Sequence, residues 1–201
     1  GDVSAVAIAS AFAVRNAAHE LALRGLVQDM TGLPTTLSSE LTSDLDAPRR
    51  ALTATLNARL IARITALVLS VRQAMAELGV SCPLMIVKGD GSLARAEDVA
   101  LRPIETVLSG PAASVIGAKW LSQRDDFILS DIGGTTTDVA VLQNGMPRVA
   151  LSGAQVGGWR TLVKAIDVTT TGLGGDSEVH VAMDGAITLG PQRVASLSLL
   201  A

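Results

Sequence analysis

The chain of 201 residues is long enough for one large domain or two small ones with a sizeable hydrophobic core. Hydrophobic residues make up 48% of it but aromatic residues only 2%, so the core must be aliphatic, which suits helices packed on a sheet. With 16 basic and 19 acidic residues, one cysteine and no His/Cys cluster, the composition argues against nucleic-acid binding, an internal disulfide and a structural zinc site.

The amino-terminal residues contain neither a membrane span nor a signal peptide. The longest apolar run, near Val3 to Val14, is interrupted by Ser4 and Ser10 and falls short of the roughly 20 residues that cross a bilayer. It also lacks the basic segment with which a signal peptide begins. A single cysteine, Cys82, fits a reducing compartment. We therefore expect a cytoplasmic protein that has no membrane partner.

Residues 1–80 are predicted to be a helix-rich segment with one short strand. Residues 3–30 are rich in Ala, Leu and Val and predict a helix, and Thr35–Leu41 is the strand candidate. A second helix starts with Asp46 as a cap and Pro48 in its first turn, and Gly79 closes it. Its apolar residues form one stripe, which consists of Leu56, Leu60, Ile64, Leu67, Val71 and Leu78.

Residues 81–201 alternate strand and helix and then turn to hairpins. Cys82–Gly91 predicts a buried strand that breaks into a loop, and Arg102–Leu121 predicts a helix that begins near Pro111 and is lined with small residues. Two β-hairpins are predicted to follow, the second of which turns at Asp184–Gly185. This order predicts an α/β fold with a mixed rather than all-parallel sheet.

The first of these hairpins contains the most informative turn of the chain. Asp131–Asp138 reads DIGGTTTD, between apolar strands, and an Asn-Gly turn at Asn144–Gly145 leads into a third strand. Gly133 and Gly134 carry no side chains, so a ligand can approach the peptide N–H groups, and a row of such groups binds anions. Three hydroxyl groups add further donors, those of Thr135, Thr136 and Thr137.

The two aspartates of this turn point to a metal-bound phosphate. Asp131 and Asp138 are seven residues apart, so they lie on opposite arms of the hairpin. Carboxylates beside a triphosphate need a cation, and Mg²⁺ held through one or two carboxylates and waters is suitable. The alternative is an ordinary Gly-rich hairpin with solubilising aspartates, but the complete octet favours phosphate binding. The turn is not a P-loop, because no Lys follows the glycines.

Two other segments of small residues have less specific patterns. Thr171–Ser177, TGLGGDS, fits either a flexible turn or a loop that contacts a ligand. Leu108–Ser114, LSGPAAS, fits a helix that starts with a plain N-cap and packs closely, and its small residues would also let the backbone of another domain approach.

The order of these elements resembles the actin-like ATPase superfamily, which includes actin, sugar kinases and the ATPase domains of heat-shock chaperones. In that pattern Arg102–Leu121 is the first helix that connects two domains, Asp131–Asp138 is the second phosphate motif, and Gly174–Ser177 contacts the nucleotide. The resemblance implies an actin-like, ribonuclease H-like α/β domain with a mixed sheet and flanking helices.

Within that superfamily the sequence is similar to the hydantoinase A/5-oxoprolinase family. The similar stretches span most of residues 48–190 and are Arg50–Ala58, Leu84–Leu93, Pro103–Ala118, Asp131–Val141 and Gly172–Ser177. Two loops depart from the family's pattern, and after Gly190–Arg193 the sequence VASLSLLA replaces a proline- and glycine-rich tail. Lys88–Gly91, KGDG, replaces a Ser-Asn-Gly-Gly-like loop, and Asp176 replaces a glycine. These departures leave the substrate class open.

The family resemblance implies an ATP-dependent hydrolase that opens cyclic amides such as hydantoins or 5-oxoproline, or in some members carboxylates ketones. The implied reaction transfers a phosphoryl group from Mg-ATP to the amide or enolate oxygen, after which water opens the ring. The cofactors are then ATP and Mg²⁺, and the implied partner is a second, hydantoinase B-like subunit or a fused domain.

The same resemblance assigns roles to residues. Asp131 would position Mg²⁺ or the attacking group, and Asp138 would orient the turn or the waters on the metal. The implied nucleotide contacts are Gly133, Gly134, Thr135, Thr136, Thr137, Gly174, Gly175, Asp176, Ser177, Ser109 and Gly110.

The resemblance also predicts that the 201 residues are the middle of a longer enzyme. The superfamily's first phosphate hairpin and its adenine-binding segment are not recognisable in the sequence, so we expect half a nucleotide site and no activity from the isolated segment. Residues 1–80 would pack on the sheet formed by residues 81–201. The alternatives are a non-catalytic nucleotide-binding or interaction module, a small-molecule kinase, and a ketone carboxylase subunit.

Overall fold

The computed structural model describes residues 3–195, in which helices and strands are interspersed up to residue 122 and only strands follow. The helices are α1 Ala18–Thr31, α2 Ser38–Leu41, α3 Ala47–Glu77, α4 Ala96–Leu101 and α5 Ser109–Ser122, with a 3₁₀ helix at Pro103–Thr106. The strands are β1 Val6–Ile8, β2 Thr35–Leu37, β3 Met85–Val87, β4 Leu93–Arg95, β5 Phe127–Ile132, β6 Thr137–Gln143, β7 Met146–Pro147, β8 Gln155–Val156, β9 Trp159–Arg160, β10 Val168–Thr171, β11 Ser177–Val181 and β12 Ile187–Arg193.

The first 40 residues contain two strands, so the prediction of a helix over residues 3–30 is wrong before Ala18 and confirmed from Ala18 onward. β1 pairs in parallel with β2, with Val6 opposite Thr35 and Ile8 opposite Leu37, and α1 begins only at Ala18. The strand predicted over 35–41 ends at Leu37, where α2 starts. A short apolar run fits a buried strand and a helix equally well, and pairing with a distant strand decides between them.

Helix α3 starts and ends as its sequence predicts. The Asp46 carboxylate accepts a hydrogen bond from the N–H of Arg49 at 3.1 Å, and a proline occupies the first turn. At the other end, Gly79 has a positive φ of 70°. The N–H groups of Gly79 and Val80 donate to the last free carbonyls of the helix, in the pattern of a Schellman motif.

The buried face of α3 differs from the predicted stripe. Leu67 and Leu78, both in that stripe, are 56% and 79% exposed. The buried positions are instead small or polar, namely Arg50, Thr53, Ala54, Asn57, Ala58 and Val68. Asn57 explains this preference, because its side chain donates to the Thr36 hydroxyl at 2.9 Å and accepts from the N–H of Ile104 at 3.1 Å. The face that meets the neighbouring elements is therefore selected by hydrogen bonds.

Among residues 3–195, α3 is the one helix whose length and composition would allow it to cross a membrane. Its most apolar window of 18 residues has a mean hydropathy of 1.4, and 22% of that window is buried. Core helices of globular proteins meet the same criterion, so this observation is weak evidence for a membrane span.

Arg50 of α3 is completely buried and donates hydrogen bonds to carbonyl groups of residues that precede it in the chain. Its guanidinium donates to the carbonyl oxygens of Ser10 at 2.6 Å, Ala11 at 2.8 Å and Asp44 at 2.7 Å. A planar guanidinium has five N–H donors in a fixed geometry, which suits this arrangement of several acceptors. Arg50 thereby holds the segment after β1 against the start of α3.

Glu20 of α1 holds the same segment after β1 by accepting hydrogen bonds, where Arg50 donates them. Its carboxylate, 1% exposed, accepts hydrogen bonds from the hydroxyls of Ser38 at 2.7 Å and Ser39 at 2.8 Å. It also accepts from the N–H groups of Ser39 at 3.1 Å and Ser10 at 2.8 Å. Burial raises the pKa of Glu20, but these hydrogen bonds outweigh burial and hold the pKa below its usual value of 4.5.

The second half of the chain is built on an antiparallel sheet in the order β10-β6-β5, with β7 paired to β6. Helix α5 packs on it, and the core between them consists of Ala112, Val115, Ala140, Leu142 and Ile166. The parallel pair β1–β2 forms a separate sheet. The α/β class is confirmed, and both strand orientations occur, but in different sheets.

The turns of this half follow local sequence chemistry. Asn144 and Gly145 have φ values of 51° and 74°, as a two-residue hairpin turn of the primed type requires. The predicted hairpin at Asp184–Gly185 is formed by β11 and β12. Helix α5 begins at Ser109, two residues before Pro111. The strand predicted over Cys82–Gly91 is limited to the three residues of β3.

Hydrogen bonds join the two halves of the chain. Arg49 of α3 donates to the carbonyls of Ser152 at 2.6 Å and Thr161 at 2.8 Å, and Leu162 N–H donates to the Thr53 hydroxyl at 3.1 Å. The division into parts 1–80 and 81–201 stays a prediction, and residues 196–201 of the second part lie outside the described residues.

Substitution Glu20→Gln should lower the free energy of unfolding at pH 7 by about 1–3 kcal/mol, because the amide NH₂ faces hydrogen-bond donors. The lowered pKa of Glu20 stabilises the fold above pH 4.5, and this contribution is lost as the pH falls through the folded-state pKa. The difference from the wild type should therefore shrink in acid. Urea denaturation at pH 7 and pH 3 measures it, with the exposed Glu77→Gln as control. Equal stability of wild type and Glu20→Gln at pH 7 would contradict the role of the network.

Candidate functional site

Strands β5 and β6 place the two aspartates directly opposite one another. In the antiparallel register Asp131 pairs with Asp138, and Ile132 pairs with Thr137. The N–H of Gly133 donates to the carbonyl of Thr136 at 2.9 Å and closes the turn. The aspartates lie on opposite arms of the hairpin, as their spacing predicts.

The tip of this hairpin presents unpaired backbone donors. The N–H groups of Gly134, Thr135 and Thr136 make no hydrogen bond to any other described residue. Gly134 and Thr135 are exposed, and Thr136 is half-buried. Successive free N–H groups in a turn form a concave anion-binding surface, and the two threonine hydroxyls lie beside it. This part of the turn can therefore bind an anion without displacing an internal hydrogen bond.

The second Gly-rich loop lies directly against this turn. The N–H of Gly175 donates to the carbonyl of Gly133 at 2.9 Å, and the N–H of Asp176 donates to that of Gly134 at 2.8 Å. The Thr137 hydroxyl donates to the carbonyl of Leu173 at 2.6 Å. The structure thus brings together two segments that are about 40 residues apart in the sequence.

Glycine is required where the two loops meet. A Cβ atom on Gly174 would lie 2.5 Å from the carbonyl carbon and oxygen of Gly134 and 2.6 Å from the nitrogen of Thr135. Its N–H donates to the Ser177 hydroxyl at 2.9 Å, and Asp176 accepts from Arg193 Nη2 at 2.9 Å. Because the close neighbours of Gly174 are backbone atoms, no side-chain rotation can make room for a methyl group.

Each carboxylate of the hairpin has one hydroxyl partner from another element. The Ser114 hydroxyl of α5 donates to Asp131 Oδ2 at 2.6 Å, and the Thr170 hydroxyl of β10 donates to Asp138 Oδ1 at 2.5 Å. Like charges directly opposite on neighbouring strands repel one another. A cation between them would remove this repulsion, so the pair is a candidate cation site.

Ser114 and Thr170 were not predicted as site residues. Ser114 is one of the small residues of the segment Leu108–Ser114, and Thr170 immediately precedes the segment Thr171–Ser177. Their roles depend on which helix face and which strand register meet the hairpin, and neither is readable from local sequence. Ser and Thr residues recur in the segments that surround the aspartates, and this recurrence is the one sequence feature that could have indicated these hydrogen-bond partners.

Ser109 and Gly110 are placed differently from the other predicted contacts. They form the first turn of α5, after Leu108 with its positive φ of 63°, and the start of the helix has no side-chain cap. Within residues 3–195 neither residue hydrogen-bonds to the hairpin. Helix α5 reaches the aspartates through Ser114, in its second turn.

The donor set suits Mg²⁺ better than a metal held by protein alone. Among the described residues no group of three or more His, Cys, Asp or Glu side chains is placed to hold a metal. Mg²⁺ commonly uses one or two carboxylates, several waters and the oxygens of a phosphate. Asp131 and Asp138 provide two carboxylates beside an anion-binding turn, which fits that requirement.

The charges of the KGDG loop, Lys88–Gly91, are paired with neighbouring charges. Lys88 Nζ is 3.2 Å from Glu105 Oε2 and 3.8 Å from Asp90 Oδ2. Burial raises the pKa of Asp90, but hydrogen bonds from Ser92 and the charge of Lys88 hold it below its usual value. A Cβ atom on Gly89 would lie 1.9 Å from the carbonyl oxygen of Val107, so this glycine is also required.

Substitution Gly174→Ala should separate the two loops, because its methyl group has no space. We expect a loss of about 1–3 kcal/mol in the free energy of unfolding. Faster hydrogen exchange at the N–H groups of Gly175 and Asp176 should accompany it. The matched control is Gly172→Ala, where a Cβ atom would meet nothing within 4 Å. Similar stability and exchange in both variants would show that the loops do not depend on this contact.

Comparison with solved structures supports the fold. The chain superposes on the ATP-dependent caprolactamase from Pseudomonas jessenii with a TM-score of 0.74 and 25% identity, covering 96% of this chain and 28% of that one. It superposes on a nucleotide-free acetone carboxylase with a TM-score of 0.71 and 22% identity, covering 94% of this chain and 28% of that one. At 22% identity, the similarity to acetone carboxylase shows that the fold is shared and nothing more.

Comparison of sequences gives the family. The alpha subunit of caprolactamase from Pseudomonas jessenii is 29% identical over 119 residues, which are 58% of this chain and 17% of that protein. The chain therefore spans less than a third of these relatives. The Hydantoinase/oxoprolinase family model matches residues 50–200, well over half of the chain. The chain belongs to the hydantoinase/oxoprolinase family of the actin-like ATPase superfamily.

Proposed function

We propose that this chain is part of an ATP-dependent hydrolase of cyclic amides and forms half of its nucleotide site. One observation carries the proposal. Two opposed carboxylates, Asp131 and Asp138, lie beside three consecutive N–H groups that make no other hydrogen bond in the described residues. Family membership and the ATP-dependent relatives support the nucleotide as the ligand.

In this proposal the hairpin tip binds the β- and γ-phosphates. The N–H groups of Gly134, Thr135 and Thr136 would donate to phosphate oxygens, with the threonine hydroxyls as further donors. Gly174–Ser177 would hold the tip in place, because two of its N–H groups already donate to the hairpin carbonyls. Ser109 and Gly110 stay predicted contacts, at the positive end of the helix dipole of α5.

The carboxylate pair would hold the Mg²⁺ ion that accompanies the nucleotide. Asp131 would be the direct ligand, positioned by Ser114, and Asp138, positioned by Thr170, would orient waters of the ion. Bound there, Mg²⁺ would neutralise the charge that develops on the phosphoryl group during transfer. Because each aspartate is hydrogen-bonded through one oxygen, the other oxygen is available to the ion.

The proposed chemistry activates an amide, which is otherwise a poor electrophile. Transfer of the γ-phosphoryl group to the amide oxygen breaks its bond to ADP and makes that oxygen a leaving group. Water then adds at the amide carbon, the nitrogen takes up a proton and the C–N bond breaks, which leaves an acyl phosphate. A second water hydrolyses the acyl phosphate to a carboxylate and free phosphate. The family includes enzymes of this type, and one similar protein is named a caprolactamase. The substrate of this chain is therefore proposed to be a small cyclic amide.

The complete activity needs residues beyond those of this chain. The chain covers 28% of the similar solved structures. The superfamily resemblance implies that a complete nucleotide site has a second phosphate-binding hairpin. The curated relative is named as an alpha subunit, which supports a second subunit as partner. Tests of activity therefore require the full-length protein together with any subunit that copurifies.

Substitution Asp131→Asn in the full-length protein should reduce amide-dependent release of phosphate from ATP at least a hundredfold, because the metal loses its charged ligand. The assay supplies Mg-ATP with hydantoin, 5-oxoproline, caprolactam or acetone. The control is Asp29→Asn on the exposed surface of α1. Unchanged turnover in Asp131→Asn would refute the assignment. Phosphorylated product without ring opening would indicate a kinase, and release that needs acetone would indicate a carboxylase.

Magnesium alone should stabilise the folded protein, because it relieves the repulsion between Asp131 and Asp138. At a concentration a hundred times its Kd the expected gain is about 2.7 kcal/mol in the free energy of unfolding. Thermal denaturation with increasing MgCl₂, at constant ionic strength, measures it. The gain should disappear in Asp131→Asn and persist in Asp29→Asn. An equal gain in both variants would mean that Mg²⁺ binds elsewhere.

A further inference from the structure

A third carboxylate, that of Asp176 in the second Gly-rich loop, lies against the tip of the hairpin. A Cβ atom on Gly134 would lie only 2.8 Å from Asp176 Oδ2, so this carboxylate is in contact with the tip. The backbone holds it there, because the N–H of Asp176 donates to the carbonyl of Gly134 at 2.8 Å. The side chain of Asp176 is 20% exposed, so solvent and salt screen its charge less than that of a surface residue.

This position opposes the binding of an anion at the tip. The N–H of Gly134 is one of the three donors that make no hydrogen bond to another described residue and that we assign to phosphate oxygens. A carboxylate in contact with the same glycine repels a phosphate group, since like charges a few ångströms apart raise the free energy of the bound state. The tip can therefore bind phosphate tightly only when the charge of Asp176 is cancelled.

Arg193, at the end of β12, is placed to cancel this charge. Its Nη2 donates to Asp176 Oδ2 at 2.9 Å, and no other Lys or Arg among residues 3–195 forms an ion pair with Asp176. The backbone fixes the arginine beside the loop. Arg193 pairs with Ser177 across β11 and β12, and the N–H of Val194 donates to the carbonyl of Asp176 at 2.8 Å. The β11–β12 hairpin thus brings a positive charge to the second Gly-rich loop.

We propose that Arg193 makes the hairpin tip competent to bind phosphate by cancelling the charge of Asp176. Arg193 acts through Asp176, so it is a positioning residue that needs no contact of its own with the phosphate. The inference rests on the proposed function, since it takes the nucleotide phosphates as the anion at the tip. It adds to the phosphate site a residue from outside both Gly-rich loops.

Charge cancellation and simple fastening of the loop have different consequences. If the ion pair only fastened the loop, loss of either partner would weaken phosphate binding, and loss of both would not restore it. If Arg193 cancels the charge of Asp176, loss of Arg193 alone weakens binding, and removal of the carboxylate as well restores it. A double-mutant cycle on these two residues therefore separates the two roles.

Isothermal titration of the full-length protein with Mg²⁺ and adenylyl imidodiphosphate, an ATP analogue that resists hydrolysis, tests the inference without catalysis. Arg193→Gln should raise the Kd at least about tenfold, because the charge of Asp176 is then uncompensated beside the tip. Asp176→Asn should leave the Kd within about threefold of the wild type. The double variant Arg193→Gln/Asp176→Asn should also bind within about threefold of the wild type, because no carboxylate is left to cancel.

The matched control is Arg148→Gln, which breaks another exposed arginine–aspartate ion pair, the one with Asp167 at 3.2 Å. It should leave the Kd of the analogue unchanged. An equal Kd in Arg193→Gln and the wild type would overturn the inference, and so would a double variant that binds as weakly as Arg193→Gln.

The same titration separates this inference from the proposed function. Binding of the analogue that depends on Arg193 and is restored in the double variant, without amide-dependent phosphate release, would sustain the inference and refute the proposed hydrolase. Amide-dependent phosphate release with a Kd that is independent of Arg193 would overturn the inference alone. No binding of the analogue to the wild type would overturn both.

Discussion

The contact between the two Gly-rich loops is the constraint on which the candidate site depends. Gly174 lies so close to Gly134 that the loops meet backbone to backbone, and the N–H groups of Gly175 and Asp176 donate to the hairpin carbonyls. The carbonyls of Gly133 and Gly134 are thereby satisfied, while three N–H groups of the tip make no hydrogen bond to another described residue. An anion-binding surface needs this asymmetry, because carbonyl oxygens that faced the same ligand would repel it.

The carboxylate pair, Asp131 and Asp138, is likewise positioned by contacts with neighbouring elements. The strand register sets Asp131 opposite Asp138, and hydroxyls from α5 and β10 orient one oxygen of each. These hydroxyls are neutral donors, so they orient the carboxylates without removing their charge. A site prepared in this way loses little conformational freedom when a cation binds, which is the physical basis of preorganisation.

The sequence predicts those features whose causes are local. The Asp46 cap, the stop at Gly79, the Asn144–Gly145 turn and the Asp131–Asp138 hairpin all follow from residue types at fixed spacing, and the structure contains each of them. Features with distant causes were missed. β1 exists because β2 pairs with it, and the buried face of α3 is chosen by partners such as Thr36 and Ile104. The hydroxyl partners of the aspartates, Ser114 and Thr170, were missed for the same reason, because they come from distant elements.

The two departures from the family pattern can now be interpreted through their contacts. Lys88 is paired with Glu105 and Asp90, and Asp176 accepts a hydrogen bond from Arg193. Each substituted charge is thus balanced by a neighbour of opposite charge. The altered loops change how the site is supported and leave the chemistry proposed for it intact.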